Sequence, residues 1–116
     1  MSLDDLPQRL RDNIGRVLDN FSISLAALDR AISILYALSL PAQNSVSFCR
    51  SDEGCACICW PELGIFCEVE ETDIQLMLVV TPGIRTCPCV AQLDDVTVTA
   101  HRLEAEFNAV KEYSYR

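Results

Sequence analysis

The chain has 116 residues, 50% of them apolar, with 17 acids against 9 bases for a formal charge of -8. A charged fraction of 22% with abundant Leu, Ile and Val excludes a disordered chain, and the length suits one soluble domain that buries roughly two thirds of its extended-chain surface. The acidity excludes direct nonspecific nucleic-acid binding, which draws on clustered Lys and Arg where this chain has a single lysine, Lys111.

The opening segment MSLDDLPQRL carries two acids where a secretory leader needs positive charge, and no small-residue cleavage site follows an apolar stretch there. Leu3, Leu6, Leu10, Ile14, Val17 and Phe21 recur at intervals of three and four. That spacing predicts an amphipathic helix capped by Asp4 or Asp5, with Pro7 in its first turn. Asn20 ends it, and Ser22 caps a second helix running to about Leu40, where Pro41 forbids continuation. Asp29 and Arg30 in the middle of that apolar stretch exclude a membrane span. Only Ser22, Asp29 and Ser33 form a polar strip among Leu25, Leu28, Ile32, Leu35 and Leu38. The second helix therefore needs cover on most sides, either as the central core helix of the monomer or as the seam of a homodimer.

After Pro41 to Asn44 the period changes from helical to alternating. Strands are predicted at 45–50, 55–60, 64–70 and 73–81, bounded by turn residues. In the third, Glu68 and Glu70 share a face with Phe66, away from Ile65, Cys67 and Val69. The fourth is apolar on both faces and is the candidate central strand. Pro82-Gly83 turns the chain into a fifth, edge strand over 85–91, where Pro88 cannot donate to a ladder. Asp94 or Asp95 caps a last helix with Val96, Ala100, Leu103, Phe107 and Val110 as its apolar line, while Val96-Thr97-Val98-Thr99 fits a strand extension equally well. The outcome is a single α+β domain over 1–116. It combines an N-terminal helical hairpin, a four- or five-stranded mainly antiparallel sheet and a C-terminal helix, packed as two layers.

Charge is unevenly placed. Residues 1–50 balance five acids with five bases, residues 51–84 have seven acids and no base, and residues 85–116 have five acids and four bases. The central seven are Asp52, Glu53, Glu62, Glu68, Glu70, Glu71 and Asp73, which carry -7 of the -8. Such a surface steers a protein toward a basic partner, and Trp60, Pro61, Leu63, Ile65 and Phe66 lie beside it in sequence as candidate apolar anchors, Trp60 itself reading more readily as core.

Seven cysteines are the other departure from average. Cys55, Cys57, Cys59, Cys87 and Cys89 form the candidate zinc or iron–sulfur set, because thiolates bind both strongly. Their one-residue gaps are not the two-to-four-residue gaps of zinc knuckles. Alternate residues of a regular strand have Cα atoms about 6.5–7 Å apart, whereas sulfurs on one zinc ion are about 4 Å apart. A metal site must bend 55–59 or draw one cysteine from each of several strands. Equally, the cysteines serve as small buried hydrophobes, or as a thiol-redox pair if two strands bring them together. The odd count and the missing leader fit a reducing cytoplasm.

No catalytic set stands out. His101 is the sole histidine and has no evident nucleophile beside it, the His101 and Glu104 pair lacks a second such pair, and no glycine-rich loop offers a phosphate cradle. The sequence thus points to a non-enzymatic acidic interaction module without cofactor. Its forms are an escort, an adaptor, or an inhibitor of a nucleic-acid-binding protein. The alternative is a cysteine-ligated metal or thiol-redox protein.

Overall fold

The computed structural model of the chain describes residues 3–51 and 54–114, with side chains 4–51 and 54–110. A 3-10 turn at Leu3–Asp5 precedes α1 (Gln8–Asn20), α2 (Leu25–Ala37) and α3 (Leu40–Ser45). Five strands follow, β1 (Ser47–Arg50), β2 (Ala56–Trp60), β3 (Ile65–Val69), β4 (Ile74–Leu78) and β5 (Cys89–Leu93), and α4 (Val96–Ser114) closes the order. The architecture is mixed α+β, with N-terminal helices, an antiparallel sheet and a C-terminal helix.

The second predicted helix is in fact two. Ser24, rather than Ser22, caps α2 by accepting the Ala27 N–H at 3.2 Å, and the chain leaves helical geometry at Leu38. Pro41 does not stop a helix. It sits in the first turn of α3, behind the N-cap Ser39, where its missing N–H costs nothing. The Gln43 side chain then donates to the Leu35 carbonyl at 2.8 Å, a second bond to the oxygen that already accepts the Leu38 N–H at the end of α2. α2 packs on α4, β2 and β3 with Ala27, Ala31, Ile34 and Leu35 buried, while Leu25 stays exposed at its start.

The strands form an antiparallel meander in the order β1-β2-β3-β4-β5. β4 is interior as expected, paired with β3 and β5, and β3 lies at the middle of the sheet because each strand folds back onto the one before it. The register sorts residues into two faces. Phe48, Ile58, Cys67, Leu76 and Ala91 lie in one row of the inner face, which packs on Leu10, Ile14, Ile34 and Leu35 of the helices. Each such fully buried large side chain contributes about 1.5–3 kcal/mol. Trp60 anchors one end of this layer, with its Nε1–H donating to Ser45 Oγ at 3.1 Å and its ring 5.5 Å from that of Phe107. The outer face carries Cys49, Cys57, Glu68, Gln75 and Gln92 in one row and Ser47, Cys59, Phe66, Met77 and Val90 in the next.

Two edges bound the sheet. At β1, Asn13 of α1 takes the place of a sixth strand: its Nδ2 donates to the Phe48 carbonyl and its Oδ1 accepts the Phe48 N–H, both at 2.8 Å. At the other edge, β5 occupies 89–93 rather than the predicted 85–91. Arg85 instead closes a reversal with Thr81, and Pro88 stays just outside the ladder it cannot donate to. Val96 to Thr99 are helical. Asp95 Oδ1 accepts the Val98 N–H at 2.9 Å and the Asp95 carbonyl accepts the Thr99 N–H at 3.0 Å, which starts α4 there. Among the described residues no helix is long and apolar enough to cross a membrane.

Candidate functional site

The acidic residues fall in three places. Asp52 and Glu53 lie outside the described residues. Glu62 is exposed in the 3-10 turn Pro61–Leu63, which joins β2 to β3 at one end of the sheet. Glu68 is half-buried on the outer face, in register with Cys57 on β2 and Gln75 on β4. Glu70, Glu71 and Asp73 form the β3–β4 turn at the end opposite Glu62, closed by the Glu70 N–H donating to the Asp73 carbonyl at 2.8 Å. Glu71 and Asp73 are exposed, and Glu70 is half-buried.

This turn stands beside the β1–β2 connection. Gly54, Cys55, Glu70, Glu71 and Thr72 line an open hollow of about 470 Å³ together with Ser24 and Ala27 of the α2 start. Among the described residues, Glu62, Glu70, Glu71 and Asp73 enter no salt bridge. Arg30 donates to the carbonyls of Glu70 at 3.2 Å and Asp94 at 3.0 Å, which ties the turn to the start of α4, and the Arg50 guanidinium lies beside Gly54 at the rim of the hollow. Of the apolar residues beside the acids, Trp60 and Ile65 are core and Leu63 and Phe66 are half-buried, while Pro61 is exposed.

The five cysteines nominated from sequence do not meet. β5, with Cys89 exposed at its start and Cys87 just before it, is separated from β2 by β3 and β4. Cys55 precedes β2 at the acidic end. Cys57 and Cys59 do come together, and their partner is Cys49. The three sulfurs lie within 4.8 Å of one another, with Cys49 Sγ and Cys59 Sγ 4.0 Å apart. Two strands solve the spacing problem that one strand cannot, since Cys49 of β1 stands directly across from Cys57. Phe48 turns its N–H and C=O outward to Asn13, so the next residue, Cys49, exchanges backbone hydrogen bonds with Cys57. The signal for Cys49 was present in the sequence. Pairing the first two predicted strands as a hairpin sets 49 against 57 and 47 against 59.

The cluster has its own electrostatics. S–H bonds from Cys57 and then Cys59 hold the Cys49 thiolate well below the ordinary thiol range. The same bonds to Cys49 push Cys57 and Cys59 up, with burial adding to both. Cys49 is half-buried, whereas Cys57 and Cys59 are 6% and 3% exposed, so the most acidic sulfur is also the one that solvent reaches. Cys67 faces the core instead, and burial, followed by the nearby Glu68 charge, pushes its thiol up to about 12.

The histidine pair is not assembled as a ligand set. Glu104 accepts from the Ser39 N–H at 2.7 Å and from the Ser39 hydroxyl at 2.8 Å, using both oxygens to tie α4 to the α2–α3 corner. His101 is exposed one turn earlier. Compared with known proteins, the chain matches no family model, no curated protein and no solved structure.

Proposed function

We propose that the protein is a non-enzymatic binding module that docks a basic surface of a protein partner onto the end of its sheet formed by Glu70, Glu71 and Asp73. The observation that carries this reading is that these three carboxylates share one reversal and have no ion-pair partner among the described residues. A partner's Lys or Arg side chains supply the missing counter-charge, raising association rate and specificity more than the final affinity. The adjoining hollow at Ser24, Ala27 and Gly54 gives such side chains a recess to enter. An escort, an adaptor and an inhibitor that covers a nucleic-acid-binding groove all draw on this chemistry. A reducing cytoplasm is the compartment that suits an odd count of seven cysteines.

The test compares capture of proteins on immobilised wild-type chain and on a triple variant, Glu70→Lys, Glu71→Lys and Asp73→Lys, at low and high salt. A basic protein held by the wild type at low salt, released by high salt and ignored by a folded triple variant is the expected result. Equal retention by both chains overturns the reading.

A further inference from the structure

We propose that Cys49, Cys57 and Cys59 form a three-thiolate site for a soft monovalent ion, copper(I), on the outer face of the sheet. This inference is independent of the acidic end and survives its failure.

Three observations carry it. The donors are convergent: three sulfurs from two strands lie within 4.8 Å of one another. The spacing suits a planar three-coordinate ion. A metal–thiolate bond of about 2.3 Å sets the sulfurs of such a site about 4.0 Å apart, and Cys49 and Cys59 already stand at 4.0 Å. Donor number and softness together favour the ion. A closed structural zinc site takes four protein ligands, a three-ligand zinc site must add a water, and iron–sulfur clusters take four cysteines, while among the described residues no fourth His, Cys, Asp or Glu joins these three. Thiolates are the soft donors that favour copper(I).

The fold supports the site in two further ways. Asn13 holds the β1 edge through Phe48, which fixes the register that places Cys49 opposite Cys57. Cys49 is the half-buried member, so an ion enters through it and is then enclosed by the two buried sulfurs. Loading releases thiol protons, so affinity rises with pH.

The experiment titrates copper(I) into the full chain without oxygen and with a reductant, against a chromophoric copper(I) chelator as competitor, and counts sulfur neighbours by X-ray absorption at the copper edge. One copper per chain with three sulfur neighbours is expected. Cys49→Ser, Cys57→Ser and Cys59→Ser each weaken binding by about tenfold or more, since a lost direct ligand costs at least what a lost outer partner does. A Cys87→Ser and Cys89→Ser double variant binds as the wild type does. If Cys57→Ser or Cys59→Ser fails to fold by circular dichroism, Cys49→Ser and the sulfur count on the wild type decide. Binding that survives Cys49→Ser unchanged, copper lost with Cys87 and Cys89 instead, or a tighter four-sulfur complex with zinc or cobalt(II), each overturns the assignment.

Discussion

Asn13 and Phe48 are 35 residues apart in sequence and share two hydrogen bonds, each 2.8 Å long, that run in opposite directions between a helix side chain and a strand backbone. One amide side chain therefore satisfies both polar groups of the edge residue that β2 leaves unpaired. Asn13→Ala removes both bonds and is expected to destabilise the fold by about 1–3 kcal/mol, because the Phe48 groups are partly buried. It also opens β1 to edge pairing with other chains. Urea unfolding with light scattering checks both effects, and an unchanged midpoint contradicts the capping role.

Much of the fold was legible because its signals are local. The alternation of Ile65, Cys67 and Val69 against Phe66 and Glu68 reports β3 and its two faces without any tertiary knowledge. The break at Leu38 was not legible, since Pro41 looks the same whether it ends one helix or starts another. Helix or strand at Val96 to Thr99 was decided by Asp95, whose capping bonds outweigh the β-branched preference. The cysteine cluster needed register as well as period. Alternation places Cys57 and Cys59 on one face, but only the pairing of β1 with β2 adds Cys49 and leaves Cys87 and Cys89 three strands away.

Gly64 is irreplaceable for two separate reasons. Its φ of +67° follows the 3-10 turn at Pro61–Leu63, and a Cβ there would stand 2.1 Å from Thr81 Oγ1 and 3.0 Å from the Val79 carbonyl oxygen. Gly64→Ala is expected to cost about 2 kcal/mol or more, joining left-handed strain to steric overlap. Gly83, with φ +80° and nothing within 4 Å of an added Cβ, is the control that separates the two. Gly83→Ala carries only the conformational part, so its thermal unfolding midpoint falls less.

Cys67 sets a pH dependence whose sign follows from its raised value. The unfolded chain ionises this thiol near 9.0, whereas the folded chain keeps the proton to about 12. Between those values the native state binds more protons than the unfolded one, so stability is full below about pH 9 and falls as pH rises, by up to about 1.4 kcal/mol per pH unit. Comparing urea midpoints of the wild type and Cys67→Ala at rising alkaline pH isolates this contribution: the variant starts lower and loses less. Parallel slopes contradict the assignment. At neutral pH the same burial makes Cys67 labelling by iodoacetamide follow global unfolding, while Cys49 labels in the native state.

Glu104 joins two distant parts of the helical layer through Ser39. Its carboxylate accepts the backbone N–H and the hydroxyl of Ser39, the residue whose own oxygen caps α3 by accepting the Ala42 N–H at 3.4 Å. The negative charge thus sits at the start of a helix, and α4 is locked to the α2–α3 corner across 65 residues. Glu104→Ala is expected to cost about 1–2 kcal/mol, and Ser39→Ala about 1 kcal/mol. Because each removes the other's partner, the double variant is less destabilised than the sum by about 0.5 kcal/mol or more. Urea unfolding of the four chains measures that coupling. Strict additivity means that the two residues act independently, leaving α4 held by Leu103 and Phe107 packing and by the Arg85–Glu106 ion pair.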